Sequence, residues 1–356
     1  MSNLEKLDKE RPEKSRGQDN APDIRRRKLL QVAFTAGAVV AVGGPALRDY
    51  VKEEMSGKEL LESIAEKRQQ IENTWGVKVI LAKPGDLMEY GYENSELNLA
   101  QKERGLTLLL KELAKLPPVL IKDSPIKSIS LCAGLQAANA PLGNRIRVSN
   151  QGGIFYKNPD DTGKKLVLNV GGNFANMYNL FGWEEGITSP RKFAHELFHS
   201  IDKIDNDEWE ALQRGKYRYV RPEARTWVLE NKDLKVSGFA RLYGLLNPKE
   251  DKATVYEALS AQDEYRDILK RSLRDPVLDK KVMVIKAYIR DSSLGLMDES
   301  YWTDVFTGRV GPEYFRVKAQ ALLSESTVSY CARHPDVSET TFSKWQARLR
   351  QEYSVS

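Results

Sequence analysis

Ser56 and Glu59 stand at the spacing of a helix capping box, and Leu60, Ile64 and Ile71 then recur on one helical face until Gly76 ends the run. That pattern predicts a first helix. Val77 to Ala82, short and apolar, reads as a strand. A second helix is expected from about Ser95, its apolar face formed by Leu106, Leu109, Leu110 and Leu113. Pro117-Pro118 removes two N–H donors and forbids its continuation. Ile126 to Cys132 follows as another strand. From Arg145 to Gly172 the helical period gives way to short alternating segments at Arg145 to Val148, Ile154 to Lys157 and Lys165 to Val170. Gly152-Gly153 and Asn158-Pro159-Asp160-Asp161 break them apart, as turns do. These segments predict a small antiparallel or mixed sheet. From Ser189 to the end the chain reads as mainly helical, with no repeat and no low-complexity linker. The order gives one α+β domain over residues 55–356, sheet first and helices after.

The N-terminus fits no core pattern. Residues 1–24 are a polar leader; Arg25-Arg26-Arg27-Lys28 follows, and then 19 uncharged residues from Leu29 to Leu47. That run can just span a bilayer, but Gln31, Thr35, Gly37, Gly43, Gly44 and Pro45 leave it only moderately apolar. Arg26-Arg27-Lys28-Leu29-Leu30 resembles a twin-arginine export signal, with Gly44 and Ala46 as small residues for a signal peptidase. An uncleaved anchor with its basic flank inside is the alternative. Under either reading residues from about 50 onward lie outside the cytoplasm, and residues 29–47 are the candidate membrane tether.

Of the 356 residues, 41% are hydrophobic and 29% charged, enough for a sizeable core. Lys and Arg number 55 against 50 Asp and Glu, and residues 1–28 alone hold nine basic and six acidic side chains. The remainder is close to neutral, without the basic footprint of a nucleic-acid partner. Cys132 and Cys331 stand in no metal-binding or redox spacing and read as two core thiols or one disulfide.

Histidine is scarce: His195, His199 and His334 are the three in the chain. Ser189-Pro190 supplies a cap and a first-turn proline, so Pro190 to Lys203 is expected to be a helix. On it, four residues turn the backbone by about 400°, so His195 and His199 project in nearly one direction and can both reach an ion at about 2.0 to 2.1 Å. Phe193, Leu197 and Ile201 give that helix an apolar back. Such a pair can also be half-buried and merely hydrogen-bonded. Glu196 favours chemistry, because a carboxylate there can take a proton from metal-bound water and return it to a leaving amine. A catalytic zinc needs a third protein ligand. His334 sits in Arg333-His334-Pro335, which reads as an exposed turn, whereas Glu250, Asp251 and Glu257 follow Phe239 as acidic candidates.

His195-Glu196-Leu197-Phe198-His199-Ser200-Ile201-Asp202 and Tyr243-Gly244-Leu245-Leu246-Asn247-Pro248-Lys249-Glu250 resemble the two motifs of the lethal-factor-like zinc metallopeptidases. The match is confined to residues 193–202 and 239–256. The resemblance implies a zincin-like catalytic domain in which zinc is held by His195, His199 and Glu250. It also implies that Glu196 serves as the acid–base, that Tyr243 hydrogen-bonds the developing oxyanion, and that Asp202 accepts a hydrogen bond from one imidazole. Lys165 to Gly172 would border the cleft, where an extended peptide could pair with it. The chain departs from the family at Thr254, where another acid is common, and at Lys252, where an aromatic is common. The residues themselves leave alternatives: Asn247 and Glu250 also have capping-box spacing, Tyr243 could be a core aromatic, and the Lys165 strand could be interior. Function is accordingly expected to be hydrolysis of a peptide or protein substrate. A non-catalytic, zinc-holding binding module of the cell envelope is the alternative.

Overall fold

The computed structural model describes residues 57–90, 92–137, 153–157, 164–170, 190–213, 215–261 and 263–353. The leader, the twin-arginine-like segment and the strand expected at Arg145 to Val148 lie outside these residues. Among the described residues no helix is long and apolar enough to cross a membrane.

Helix α1 (Gly57–Trp75) buries Leu60, Ile64, Ile71 and Trp75 and ends at Gly76 in a left-handed conformation, φ 69°. Strand β1 (Lys78–Leu81) follows, then β2 (Tyr92–Ser95) and helix α2 (Leu99–Leu113). The expected start of this helix at Ser95 is corrected by a full capping box one turn later. Asn98 Oδ1 accepts from Gln101 N and Gln101 Oε1 accepts from Asn98 N, both at 2.9 Å. Gly105 lets α2 sit close to the sheet, since a Cβ there would meet Val170 Cγ2 at 2.7 Å. Pro118 then opens the short helix α3 (Pro118–Lys122).

Strands β3 (Ile126–Ala137), β4 (Gly153–Lys157) and β5 (Lys164–Asn169) complete a mixed sheet in the order β1-β3-β5-β4. β3 is parallel to β1 and β5, with Val79 opposite Ile129 and Leu131 opposite Leu168. β4 is antiparallel to β5, and β2 pairs antiparallel with the far end of β3. The parallel pairings follow from the crossovers between these strands, which local alternation cannot reveal. The expectation that Lys165 to Gly172 borders the cleft is corrected: β5 is interior, flanked by β3 and β4, and Leu166, Val167 and Leu168 are buried.

The second half is helical, as expected: α4 (Pro190–Ile201), α5 (Asn206–Ala211), α6 (Arg225–Glu230), the 3-10 turn Leu242–Leu246, α7 (Pro248–Ser260), α8 (Tyr265–Ser272) and α9 (Pro276–Ser292). Helices α10 (Glu299–Phe306), α11 (Pro312–Ser324), α12 (Thr327–Arg333) and α13 (Glu339–Tyr353) follow. A single apolar cluster runs from Ile71 and Val79 through Leu131, Leu197 and Phe198 to Tyr256, Ile285, Trp302 and Phe342. The C-terminal helices therefore form the far wall of the core against which α7 is seated. Cys132 and Cys331 are both free thiols, and burial in the sheet pushes the Cys132 thiol up to about 12.

Candidate metal centre

Helix α4 is held from behind. Phe193, Leu197, Phe198 and Ile201 are buried, and the Phe198 ring lies 5.1 Å from that of Tyr256 on α7. This packing leaves His195 and His199 on the side where α4 faces the start of α7. Their rings meet edge to face with centroids 4.8 Å apart and the two Nε2 atoms separated by 3.1 Å.

Helix α7 begins with Pro248 after Asn247, whose side-chain oxygen accepts from the N–H groups of Lys249 and Glu250, each at 3.0 Å. Because Asn247 fills the cap itself, the Glu250 carboxylate is free to turn across to α4. Its Oε2 lies 3.0 Å from His195 Nε2 and 3.4 Å from His199 Nε2. Ligand atoms around a tetrahedral ion bound at about 2.0 to 2.1 Å are separated by about 3.3 Å. The three separations match that edge length, and His195, His199 and Glu250 form a group that could hold a metal ion. Three protein donors is also the number that leaves one position for water.

These groups shift one another's affinity for protons. Burial disfavours a charged His195, but the carboxylates of Glu250 and Glu257 outweigh it and push the imidazole up to about 10. Burial would raise Glu250 too, yet hydrogen bonds from both imidazoles bring it well below the usual carboxylate range. A cation among the two Nε2 atoms and Glu250 Oε2 would answer that carboxylate and leave His195 Nδ1 to Glu257, which is the fit expected of a metal site.

Glu196 sits half-buried beside the cluster. Burial raises its pKa, the two imidazoles pull it down, and Glu250 and Glu257 raise it again, leaving it above the ordinary value. Tyr92 on β2 stands close enough that Glu196, after burial, adds to the rise in its phenol pKa. Tyr243, in the 3-10 turn before α7, places its ring 5.7 Å from that of His195. Burial and the nearby Glu250 and Glu196 charges raise its phenol, so it stays a neutral donor.

The two residues that follow Glu250 are buried anchors. Asp251 accepts from Lys281 Nζ at 2.6 Å, Trp209 Nε1 at 2.9 Å and Tyr219 Oη at 3.1 Å. Lys252 reaches Asp202 and the carbonyl of Ile204. Asp202 is thus engaged with Lys252 and, through Oδ1, with the Ile204 N–H at 2.9 Å, not with an imidazole as the motif implied. The carboxylate on a ring nitrogen of His195 belongs to Glu257, Oε2 to Nδ1 3.2 Å. The sequence offers Glu257 only as one of three acidic candidates after Phe239, without a partner. Its signal was the seven-residue spacing from Glu250, which puts both on one face of α7. His334 caps the end of α12 with its ring 4.4 Å from Tyr330 and is no part of the His195, His199 and Glu250 group.

No protein-family model matches the chain, and no curated protein matches its sequence. Among solved structures, a candidate zinc-binding metallo-peptidase from Bacteroides caccae aligns with 17% identity and a TM-score of 0.43, covering 73% of this chain and 95% of that one. A likeness at that level assigns no role to any residue here.

Proposed function

We propose that this chain is a zinc-dependent endopeptidase of the lethal-factor-like type. The observation that carries the reading is the convergence of His195 Nε2, His199 Nε2 and Glu250 Oε2 at separations of 3.0 to 3.4 Å, with Glu196 adjacent on the same helix. Zinc bound there would polarise the scissile carbonyl and make water acidic enough to ionise near neutral pH. Glu196 takes the proton of the attacking water and delivers it to the departing amine nitrogen. Tyr243 donates its O–H to the carbonyl oxygen as negative charge develops. Peptide is the substrate class, because a base that returns its proton to an amine and a donor aimed at an oxyanion are the needs of amide hydrolysis.

The strand that could present substrate is β4. Among the described residues it pairs only with β5, and it packs beside α4. An extended peptide could add to the side away from β5. Residues 25–47 would carry the domain out of the cytoplasm or hold it at a membrane, and loss of reporter export on Arg26→Lys/Arg27→Lys would support the twin-arginine route.

A peptide library incubated with metal-loaded wild type and with Glu196→Gln tests the enzyme reading. Cleavage by wild type should fall by roughly 10²- to 10⁴-fold in the variant while zinc content is unchanged. Absence of cleavage by the zinc-loaded wild type would favour the binding-module alternative.

A further inference from the structure

His195 is gripped through both ring nitrogens. Nε2 faces the cluster, and Nδ1, across the ring, meets Glu257 Oε2 at 3.2 Å. Glu257 is 7% exposed and its other oxygen is also committed: Oε1 accepts from Arg241 Nη1 at 3.1 Å and from Arg191 Nε at 3.4 Å. Arg241, equally buried, is in turn fixed by Glu264 through Nε at 3.1 Å and through Nη2. Arg191 reaches the same Glu264 at 3.1 Å. A buried carboxylate needs such partners to remain charged, and here two guanidinium groups supply them. Thr254, which stands where the family motif commonly has a second acid, donates instead to the carbonyl of Asp251 at 2.9 Å. Among the described residues, Glu257 is therefore the carboxylate available to Nδ1.

We propose that Glu257, clamped by Arg241, is the positioning residue of the metal centre: it holds the proton on His195 Nδ1 and so presents the Nε2 lone pair to the ion. The proposal rests on the metal-binding reading above. Glu257 cannot itself join the ion, because its oxygen is engaged on the far side of the ring. Arg241 acts one step further back, fixing Glu257 without touching a ligand. The arrangement fits the general need of a metal-bound imidazole for an acceptor on its other nitrogen.

With three histidines in the chain, nitrogen NMR of the zinc-loaded, histidine-labelled protein resolves the rings directly in the wild type. His195 should show a metal-bound Nε2 and a protonated Nδ1; a metal-bound Nδ1 overturns the proposal, and this measurement needs no variant to fold. Competition with a chelator then reads zinc affinity. Glu257→Gln should weaken it by about 10- to 100-fold, and Arg241→Gln should weaken it less, with recovery in Arg241→Lys. The visible spectrum of the cobalt-substituted protein should shift in Glu257→Gln. Wild-type affinity and an unchanged cobalt spectrum in a folded Glu257→Gln would make the network merely structural and overturn the proposal. If wild type fails to bind zinc at one equivalent, the metal reading itself falls, an outcome separate from either of these.

Discussion

Lys252 Nζ lies 2.6 Å from Asp202 Oδ2, with the lysine side chain 1% exposed and the aspartate 9% exposed. This ion pair ties the chain leaving α4 to the first turns of α7, and so fixes the distance between the helix of the two histidines and the helix of Glu250. The same ammonium donates to the Ile204 carbonyl at 2.6 Å and to Asn206 Oδ1 at 3.1 Å. The long cationic side chain of Lys252 thereby caps the turn that follows α4.

Breaking the pair from the acidic side should be costly. Asp202→Asn leaves a buried ammonium without its countercharge and should lower stability by about 3 kcal/mol. Adding Lys252→Met should restore part of that loss, since the stranded charge is gone. Urea unfolding of the two single variants and the double variant measures the coupling. Strictly additive losses would mean that the pair contributes no interaction of its own.

Zinc should stabilise the folded chain by mass action. At free zinc one hundred times its dissociation constant the gain is about 2.7 kcal/mol, visible as a rise in Tm over the chelator-treated protein. Glu250→Ala should lose most of this rise, as should His195→Ala and His199→Ala. Asn247 still caps α7 in Glu250→Ala, so the helix start survives there. A full zinc-induced shift in Glu250→Ala would return that carboxylate to a role outside the metal centre.

Tyr243→Phe separates oxyanion support from metal binding. Loss of one donor to a developing oxyanion costs on the order of 10²- to 10³-fold in kcat, with zinc stoichiometry unchanged. Because burial, Glu250 and Glu196 all raise the phenol pKa, Tyr243 does not ionise in the working range. The shape of the pH–rate profile should therefore be the same in Tyr243→Phe as in wild type. A vanished alkaline limb in the variant would contradict this assignment.

The parts of this architecture that are local in sequence were legible before the structure. Pro190 and the Phe193, Leu197 and Ile201 stripe mark α4, and Asn247-Pro248 marks the start of α7. The α+β order was legible for the same reason. What escaped depends on how elements meet. The parallel pairing of β3 with β1 and β5 is fixed by crossovers, and the interior place of β5 by the antiparallel pairing of β4 on its other side. The contact of Glu257 with His195 escaped because it depends on how α7 lies against α4. Helix α7 runs alongside α4, so residues two turns apart can grasp one imidazole at opposite nitrogens. Asp202 was assigned by motif position, whereas its geometry is decided by a lysine 50 residues away in the chain.

Asp275 makes a pH-dependent fastening outside the group of His195, His199 and Glu250. Its Oδ1 caps α9 by accepting from the N–H groups of Val277 and Leu278 at 3.1 and 3.3 Å. Its Oδ2 accepts from Ser237 Oγ at 2.9 Å and Gly238 N at 2.5 Å. Gly238 can make that approach because it adopts φ 79° and lies against the Tyr217 ring, where a Cβ would meet Cε2 at 2.4 Å. Burial opposes ionisation of Asp275, but the Gly238 N–H, the Ser237 hydroxyl and the helix N–H groups outweigh it and lower its pKa. A folded pKa below the unfolded one adds stability that is complete above the ordinary aspartate value and is lost as pH falls through the folded value. Asp275→Ala should thus cost about 1 kcal/mol at neutral pH, as expected for a lost helix cap, and should flatten the decline in stability below about pH 4. Urea unfolding at a series of pH values from neutral downward measures both effects. An acid decline as steep in Asp275→Ala as in wild type would assign it to other carboxylates.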